Sequence, residues 1–380
     1  MLTVLSIVGT RPEAIKMAPV IRELARYPGQ ITSRVCVTAQ HRQMLDQVLD
    51  LFKIVPDYDL NVMQDAQSPT QVAATVLSKL EPILRAEKPD WVLVQGDTTT
   101  VMTAALAAFH TKVKVGHVEA GLRTHDKNQP FPEEVNRRVA SILADLHFAP
   151  TAGARHNLLS EQVPADSIIL TGNPVIDALY AVCRMPYNPV PDPLETIPRN
   201  RRILLVTAHR RENFGLPLVY ICNALKAIAY QYQDSVHIVY PVHLNPHIWE
   251  PVYRILGDIP NIALLPPLDY LSLVQLLRRS YMVLTDSGGL QEEAPSLGKP
   301  VLVLRNTTER PEAIEAGTVK LVGTVYQRIV DETARLLDDG QTYQQMAQAI
   351  NPYGDGRAAH RIVNTLLAHD DATMYKKKVS

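Results

Sequence analysis

Leu2-Thr3-Val4-Leu5-Ser6-Ile7-Val8, followed by Gly9-Thr10-Arg11-Pro12-Glu13-Ala14-Ile15-Lys16, is the stretch that decides the fold. The first seven residues form a nearly continuous apolar run. Such a run suits a strand buried on both faces of a parallel sheet, because a half-exposed strand would alternate polar and apolar residues. Gly9 permits a tight turn where a Cβ would clash. Pro12 fits the start of a helix, and a helical pattern runs from Ala14 to Arg26. The chain therefore opens as strand, turn and helix.

The same rhythm continues outward. Val35 to Thr38, Trp91 to Val94, Val113 to Val118 and Leu146 to Ala149 read as strands, with helices at Gln71 to Glu87, Thr100 to His110 and Glu133 to Leu143. Pro186 to Pro193 then holds four prolines in eight positions, and proline both removes a backbone donor and disfavours helix before it, so this stretch reads as a linker. Beyond it the pattern restarts. Strands fit Arg202 to Thr207, Val236 to Tyr240, Ile262 to Leu265, Met282 to Thr285 and Val301 to Leu304; helices fit Leu218 to Gln231, Tyr270 to Arg279, Gln291 to Leu297 and Arg328 to Leu337. A last helix near Ala358 to His369 is expected to return to the first lobe. The predicted organisation is α/β, with two doubly wound lobes. The N-terminal lobe spans 1–185, the linker 186–200, the C-terminal lobe 201–352, and the returning helix with its basic tail 353–380. Ligands of open parallel sheets bind beyond the carboxyl ends of the strands, so the site is expected in the cleft between the lobes.

Composition narrows the function classes. At 380 residues the chain is long enough for two cores. A formal net charge of −1 argues against nucleic acid or an anionic membrane as partner. No apolar stretch is long enough to span a bilayer, the N-terminus lacks a signal-peptide pattern, and Lys376 to Lys378 read as a solvated end. Cys36, Cys183 and Cys222 form no CxxC pair and fit reduced thiols in the cytoplasm. His243 and His247 are spaced like a metal pair, but Pro246 lies between them and no acidic or cysteine partner is near, so no metal site is expected.

The strand ends carry the chemistry. Arg11 and Lys16 stand near a helix N-terminus, where backbone N–H groups already favour anions. Neither the GxGxxG nor the GxxxxGK[ST] pattern is present. Asp97, in Gln95-Gly96-Asp97-Thr98-Thr99-Thr100, either caps the next helix or stands as an acid. Glu119 ends a strand, where a carboxylate must be paired or solvated. Glu133 and Glu134 follow Pro132 and suit a helix first turn as well as a site. Convergence of Asp97, Glu119 and Glu133 would raise their pKa values and yield a protonated acid beside an ionised base. In the second half, Ser287-Gly288-Gly289 offers a hydroxyl and N–H groups to a phosphate, and Glu293, one turn deeper, can bind ribose hydroxyls.

Seven motifs then carry a resemblance. GTRPEAIKMAP (Gly9 to Pro19), QGDTTT (Gln95 to Thr100), HVEAGLRT (His117 to Thr124), FPEEVNR (Phe131 to Arg137), HRRENFG (His209 to Gly215), TDSGGLQEEAPSLGKPVLVLRNTTERPEA (Thr285 to Ala313) and NPYGDG (Asn351 to Gly356) resemble, in order and over nearly the whole chain, the non-hydrolysing bacterial UDP-N-acetylglucosamine 2-epimerases. The resemblance implies two Rossmann-like lobes of the GT-B architecture. It implies reversible conversion of UDP-GlcNAc to UDP-ManNAc through UDP elimination, a bound 2-acetamidoglucal and re-addition, without nicotinamide or metal. Asp97, Glu119 and Glu133 match the family's acid/base candidates, and His209 matches a histidine near the diphosphate. Arg11, Lys16, Ser287, Gly288, Gly289, Glu293 and Arg310 match nucleotide or sugar contacts. Relatives further imply a homodimer and a supply of UDP-ManNAc for surface polysaccharide. Gln40, Gln43, Arg210 and His243 resemble parts of a second, activating UDP-GlcNAc pocket.

Two departures qualify it. Ala66 stands where regulated members carry an arginine, which puts strong activation in doubt, and Leu268 to Leu273 lacks the glutamine and aromatic that some relatives place beside the uracil. A glycosyltransferase of the same fold and a hydrolysing epimerase are the rival readings, since fold alone does not decide function.

Overall fold

The computed structural model describes residues 1–38, 42–62 and 67–379, and their side chains other than those of 42, 43 and 371–379. The chain divides into two compact units, Met1–Ala181 with Tyr353–Ser380, and Val182–Pro352. In the first unit, β1 (Leu2–Val8), β2 (Ile31–Val37), β3 (Tyr58–Asp59), β4 (Trp91–Gln95), β5 (Lys114–Val118), β6 (Leu146–Ala149) and β7 (Ile168–Leu170) form one parallel sheet in the order β3-β2-β1-β4-β5-β6-β7. In the second, β8 (Arg202–Thr207), β9 (Val236–Pro241), β10 (Ile262–Leu265), β11 (Ser280–Thr285), β12 (Val301–Val303) and β13 (Val319–Leu321) form a parallel sheet in the order β10-β9-β8-β11-β12-β13. Both sheets are doubly wound and Rossmann-like. Each reverses direction of growth once, between β1 and β4 and between β8 and β11. A reversal leaves a crevice at the strand ends that no crossover loop covers, so the residues after these four strands are placed to meet a ligand.

Apolar burial holds each sheet between its helices. Leu5, Ile7, Val92 and Val94 pack with Val76 and Leu80 of the helix Pro69–Glu87 and with Ala104 and Ala108 of the helix Thr99–His110. Leu204, Val206, Ile238 and Leu284 pack with Ile221, Leu225 and Ile228 of the helix Leu216–Gln231. Each buried Val, Leu or Ile side chain among them contributes about 1.5–3 kcal/mol. The helix Pro69–Glu87 starts on a full capping box, Ser68 with Gln71.

One connection differs from what composition alone implies. The proline-rich stretch is not a bare tether. Leu194 and Ile197, just beyond it, are buried, and Arg279 donates to their carbonyl oxygens at 3.4 and 2.8 Å. The segment therefore packs on the second unit. The chain re-enters the first unit at Tyr353, whose carbonyl accepts the Asn173 N–H at 2.7 Å. The helix Ala358–Val379 then starts on Asp177, which accepts the N–H groups of Ala358 and Ala359 at 3.1 and 2.9 Å, and buries Ile362, Val363 and Leu366. Among the described residues, no helix is long and apolar enough to cross a membrane, and no group of three or more His, Cys, Asp or Glu side chains could hold a metal ion. Cys36 and Cys222 are buried free thiols, pushed up to about 12 by burial.

Candidate active site

The first unit gathers its polar groups at the ends of β1, β4 and β5. Gly9 ends β1 where a Cβ would stand 2.7 Å from Thr100 Oγ1, so the glycine lets the β1 loop lie against the helix after β4. β4 and β5 are neighbours, with Gln95 paired to Val118. Asp97 and Glu119 therefore leave adjacent strand ends.

Glu119 sits at φ 63, a left-handed conformation that costs a non-glycine residue on the order of 1–3 kcal/mol. Its surroundings fix it there. Lys16 Nζ lies 2.6 Å from both carboxylate oxygens, Asn173 Nδ2 donates to Oε1 at 2.9 Å, and Gln95 Nε2 donates to Oε2. Arg123 clamps the following loop. Its fully buried guanidinium binds Glu161 at 2.7 and 2.8 Å, Ser141 Oγ at 3.0 Å and its neighbour's carbonyl oxygen, that of Leu122, at 2.8 Å. His117 donates from Nε2 to Gly96 O at 2.7 Å, and burial lowers its pKa to about 4, so it is a neutral brace for the loop that carries Asp97.

The capping role open to Asp97 is taken by Thr98, whose side chain accepts from Val101 N. Asp97 instead pairs with Arg137, and its carbonyl accepts from Asn136 Nδ2 at 3.0 Å. Both partners lie in the first turn and a half of the helix Glu133–Leu143, which begins at Glu133. Glu134, fully buried, is the structural member of that pair: it takes Arg137 and Arg138 at 3.2 Å and the N–H groups of Thr124 and His125 at 3.1 and 3.2 Å. Glu133 is half-buried and makes no recorded side-chain hydrogen bond or ion pair among the described residues.

Sequence reasoning sought the proton-holding acid among Asp97, Glu119 and Glu133. The structure puts an upward shift on a fourth carboxyl, Glu13. It is 2% exposed, accepts the Gly9 N–H at 2.6 Å and the Thr10 hydroxyl at 3.0 Å, and is raised to about 7. Burial is the largest cause; the Gly9, Thr98 and Thr10 donors oppose it, and the Asp97 charge adds to it. The signal was in the quoted sequence. A Glu three residues after Thr10 at a helix start is drawn back over the turn, where it has no access to solvent.

The second unit offers donors. His209 and Arg210 follow β8, His243 follows β9, and Thr285 ends β11 with Asp286 and Ser287 after it. The Thr207 and Thr285 hydroxyls meet at 2.6 Å, and Thr285 Oγ1 accepts Ser287 N at 2.9 Å, which sets the turn into the helix Gly288–Ser296. Ser287 is the N-cap but its hydroxyl caps nothing, so the hydroxyl and the first N–H groups remain for an anion. The Arg310 guanidinium lies directly over this helix start: a Cβ on Gly288 would come 2.5 Å from its Nη1. Glu292, wholly buried, accepts from Arg310 Nε at 2.5 Å, and Glu309 from Nη1 at 2.6 Å. Burial opposes ionisation of Glu309, yet Arg310 and Arg305 hold its carboxyl well below the usual range. Glu293 is nearly buried, and Tyr270 donates its hydroxyl to Oε1 at 2.5 Å.

The rings of His209 and His243 stack at 5.8 Å. His247 instead stacks on Phe214 at 5.5 Å, and the helix starts at Pro246 with Asn245 as N-cap, so the two spaced histidines do not share a helix face. Gln40, Ala66 and the Gln43 side chain lie outside the described residues. Arg11 and Lys16 stand on the first turns of the helix Arg11–Leu24.

The family model described as UDP-N-acetylglucosamine 2-epimerase matches residues 22–367. The Escherichia coli K12 UDP-N-acetylglucosamine 2-epimerase is 55% identical over 371 residues, covering 96% of this chain and 98% of its own. The crystal structure of the Neisseria meningitidis UDP-GlcNAc 2-epimerase bound to UDP-GlcNAc is 50% identical, with a TM-score of 0.91 over 97% of this chain and 100% of that one. An S. aureus co-structure with UDP is 46% identical, with a TM-score of 0.89 over 98% and 97%. With fold, strand-end chemistry and full-length similarity in agreement, this chain belongs to the UDP-N-acetylglucosamine 2-epimerase family, isomerases acting on nucleotide sugars.

Proposed function

We propose that this chain interconverts UDP-N-acetylglucosamine and UDP-N-acetylmannosamine by eliminating and re-adding UDP. The observation that carries the reading is Glu119, strained at φ 63 and fixed by Lys16, Gln95 and Asn173 beside Asp97. Backbone strain maintained this way is characteristic of functional positions. A carboxylate of the set Asp97, Glu119 and Glu133 takes the proton from C2. The C–H electron pair becomes the C1=C2 bond, and the C1–O bond breaks with its pair leaving on UDP. A carboxylic acid of the same set returns a proton to the other face, and the UDP oxygen adds back to C1. The sequence of steps is redox-neutral.

The second unit handles the leaving group. Ser287, Gly288, Gly289 and Arg310 offer donors to the diphosphate, Glu293 accepts from ribose hydroxyls, and His209 meets the charge that develops as UDP departs. In the first unit, Arg11 and Lys16 are the candidate cations of the site. Arg210 and His243, which neighbour His209, are the described candidates for a second nucleotide pocket. The protein acts as a cytoplasmic homodimer that supplies UDP-ManNAc for surface polysaccharide.

Proton NMR of UDP-GlcNAc with the protein in D2O tests this. UDP-ManNAc carrying deuterium at C2 is the expected product; free ManNAc would mean that water captures the intermediate, and an inert substrate would favour a glycosyltransferase. Glu119→Gln should abolish C2 exchange while UDP still binds. Wild-type exchange in that variant would remove Glu119 from the chemistry.

A further inference from the structure

Asp286 directly follows β11 and has no exposed surface, and its two oxygens have unequal company. Oδ2 accepts three hydrogen bonds: His209 N at 2.8 Å, Arg210 N at 2.8 Å and Asn213 Nδ2 at 2.9 Å. Oδ1 is buried and accepts none. A carboxylate oxygen left so is costly unless something else answers it. Among the described residues the cationic group recorded near it is the His209 imidazole, whose Nδ1 lies 3.6 Å away. Tyr240 does not compete, since its hydroxyl donates to Ala208 O at 2.7 Å.

We infer that Asp286 and His209 form a carboxylate–imidazole pair, in which Oδ1 draws the Nδ1–H and turns Nε2 toward the departing diphosphate. Asp286 is thus a positioning residue. The three bonds to Oδ2 hold the β8 loop against the end of β11 and aim Oδ1 at the ring, so one side chain sets both the ring's place and its tautomer. The charge on the ring is contested by every neighbour that faces it. Partial burial lowers the His209 pKa, Asp286 raises it, and Arg210 beside it and His243 stacked upon it lower it again. Asp286 is the one group on that list favouring the imidazolium, the form that best stabilises a leaving phosphate. The consequence for catalysis rests on the proposed epimerisation; the pair itself does not.

Asp286→Asn separates the two. Its amide oxygen can keep the three donors of the β8 loop, but its NH2 group then faces Nδ1, so the neutral ring should carry its proton on Nε2 instead. Nitrogen-15 NMR of the histidines, with His209→Asn assigning the resonance, reads this without substrate. Wild type should show Nδ1–H in the neutral ring and Asp286→Asn should show Nε2–H with protonation at lower pH. Should the variant fail to fold, the wild-type tautomer alone decides, and Nε2–H with bare Nδ1 would overturn the pair. An unchanged His209 titration in a folded Asp286→Asn would overturn it too. In turnover, kcat should fall about tenfold at neutral pH, roughly the worth of a charge on one hydrogen bond, with KM little changed and the alkaline fall of kcat moved to lower pH. A shifted titration in a protein that does not epimerise UDP-GlcNAc leaves the pair standing and refutes the function.

Discussion

Replacing Glu13 by Gln should make the protein more stable at neutral and alkaline pH and leave it unchanged in acid. In the folded chain Glu13 is raised from 4.5 to about 7, first by burial and last by the nearby Asp97. Below pH 4.5 the carboxyl is protonated in both folded and unfolded chains, so its burial is without electrostatic cost. As pH rises, the unfolded chain releases the proton and the folded chain retains it. Stability is therefore lost progressively between pH 4.5 and about 7, and the loss levels off above. At 1.36 kcal/mol per unit the plateau is about 3 kcal/mol. Glu13 is 2% exposed, so solvent screening does not reduce this much. Gln keeps the geometry: its oxygen accepts the Gly9 N–H and its NH2 donates to Thr10 Oγ1. Urea unfolding of both chains at pH 5, 6, 7 and 8, followed at a probe in the first unit, gives the answer as a difference in which other titrations cancel. The gap should grow from about 1 kcal/mol at pH 5 toward that plateau. A pH-independent difference, or a variant less stable throughout, would refute a protonated Glu13.

Gly288→Ala should displace the Arg310 guanidinium, which its Cβ would meet at 2.5 Å, and should also cost stability, because that guanidinium pairs with wholly buried Glu292 and with Glu309. By calorimetry it and Arg310→Ala should each weaken UDP binding by about 1.5–3 kcal/mol, the worth of a charge-assisted hydrogen bond, and the double variant should cost no more than either alone; unchanged affinity in Arg310→Ala would place Arg310 away from the nucleotide. His117 and His147, lowered to about 4 and about 3 by burial, remain neutral in the fold while the unfolded chain takes up protons below about 6.5. Their contribution is present above that pH and lost as pH falls, so His147→Gln should move the acid unfolding midpoint to lower pH, and an unchanged midpoint would count against a buried neutral ring.

Which parts of this were legible in the sequence follows from how local their causes are. β1, β6, β8 and β10 appear at the ends read from the sequence, and the helices Glu133–Leu143 and Tyr270–Arg279 do likewise, since each is a strong pattern bounded by its own turn residues. Missed were β3, β7 and β13, of two or three residues each, which exist only because a neighbour pairs with them. The helix Pro246–Leu256 was hidden by Pro251, tolerated inside it although proline commonly ends a helix. The helices Arg42–Phe52, Ala152–Ser160, Pro174–Cys183, Pro311–Glu315 and Gly340–Ala347 were also not anticipated. Polar residues at strand ends were recognisable because a doubly wound sheet uses those positions for ligands whatever the ligand is.

Pairing was the part that order along the chain could not supply. Arg137 meets Asp97, Asn173 meets Glu119 and Asp286 meets the β8 loop only once crossovers have set neighbouring strands side by side. The same folding step decides protonation. Glu13 belongs to a helix first turn, where a carboxylate is ordinarily solvated and favoured by the dipole. It is held near neutrality because the loops after β1 and β4 close over it. Asp97 and Glu119, which look more suspect in the sequence, each acquire a cationic partner, Arg137 and Lys16. A carboxyl's chemical role in this fold is therefore fixed by which crossover covers it and which cation reaches it, and the ordered list of strand-end acids becomes a mechanism only when both are known.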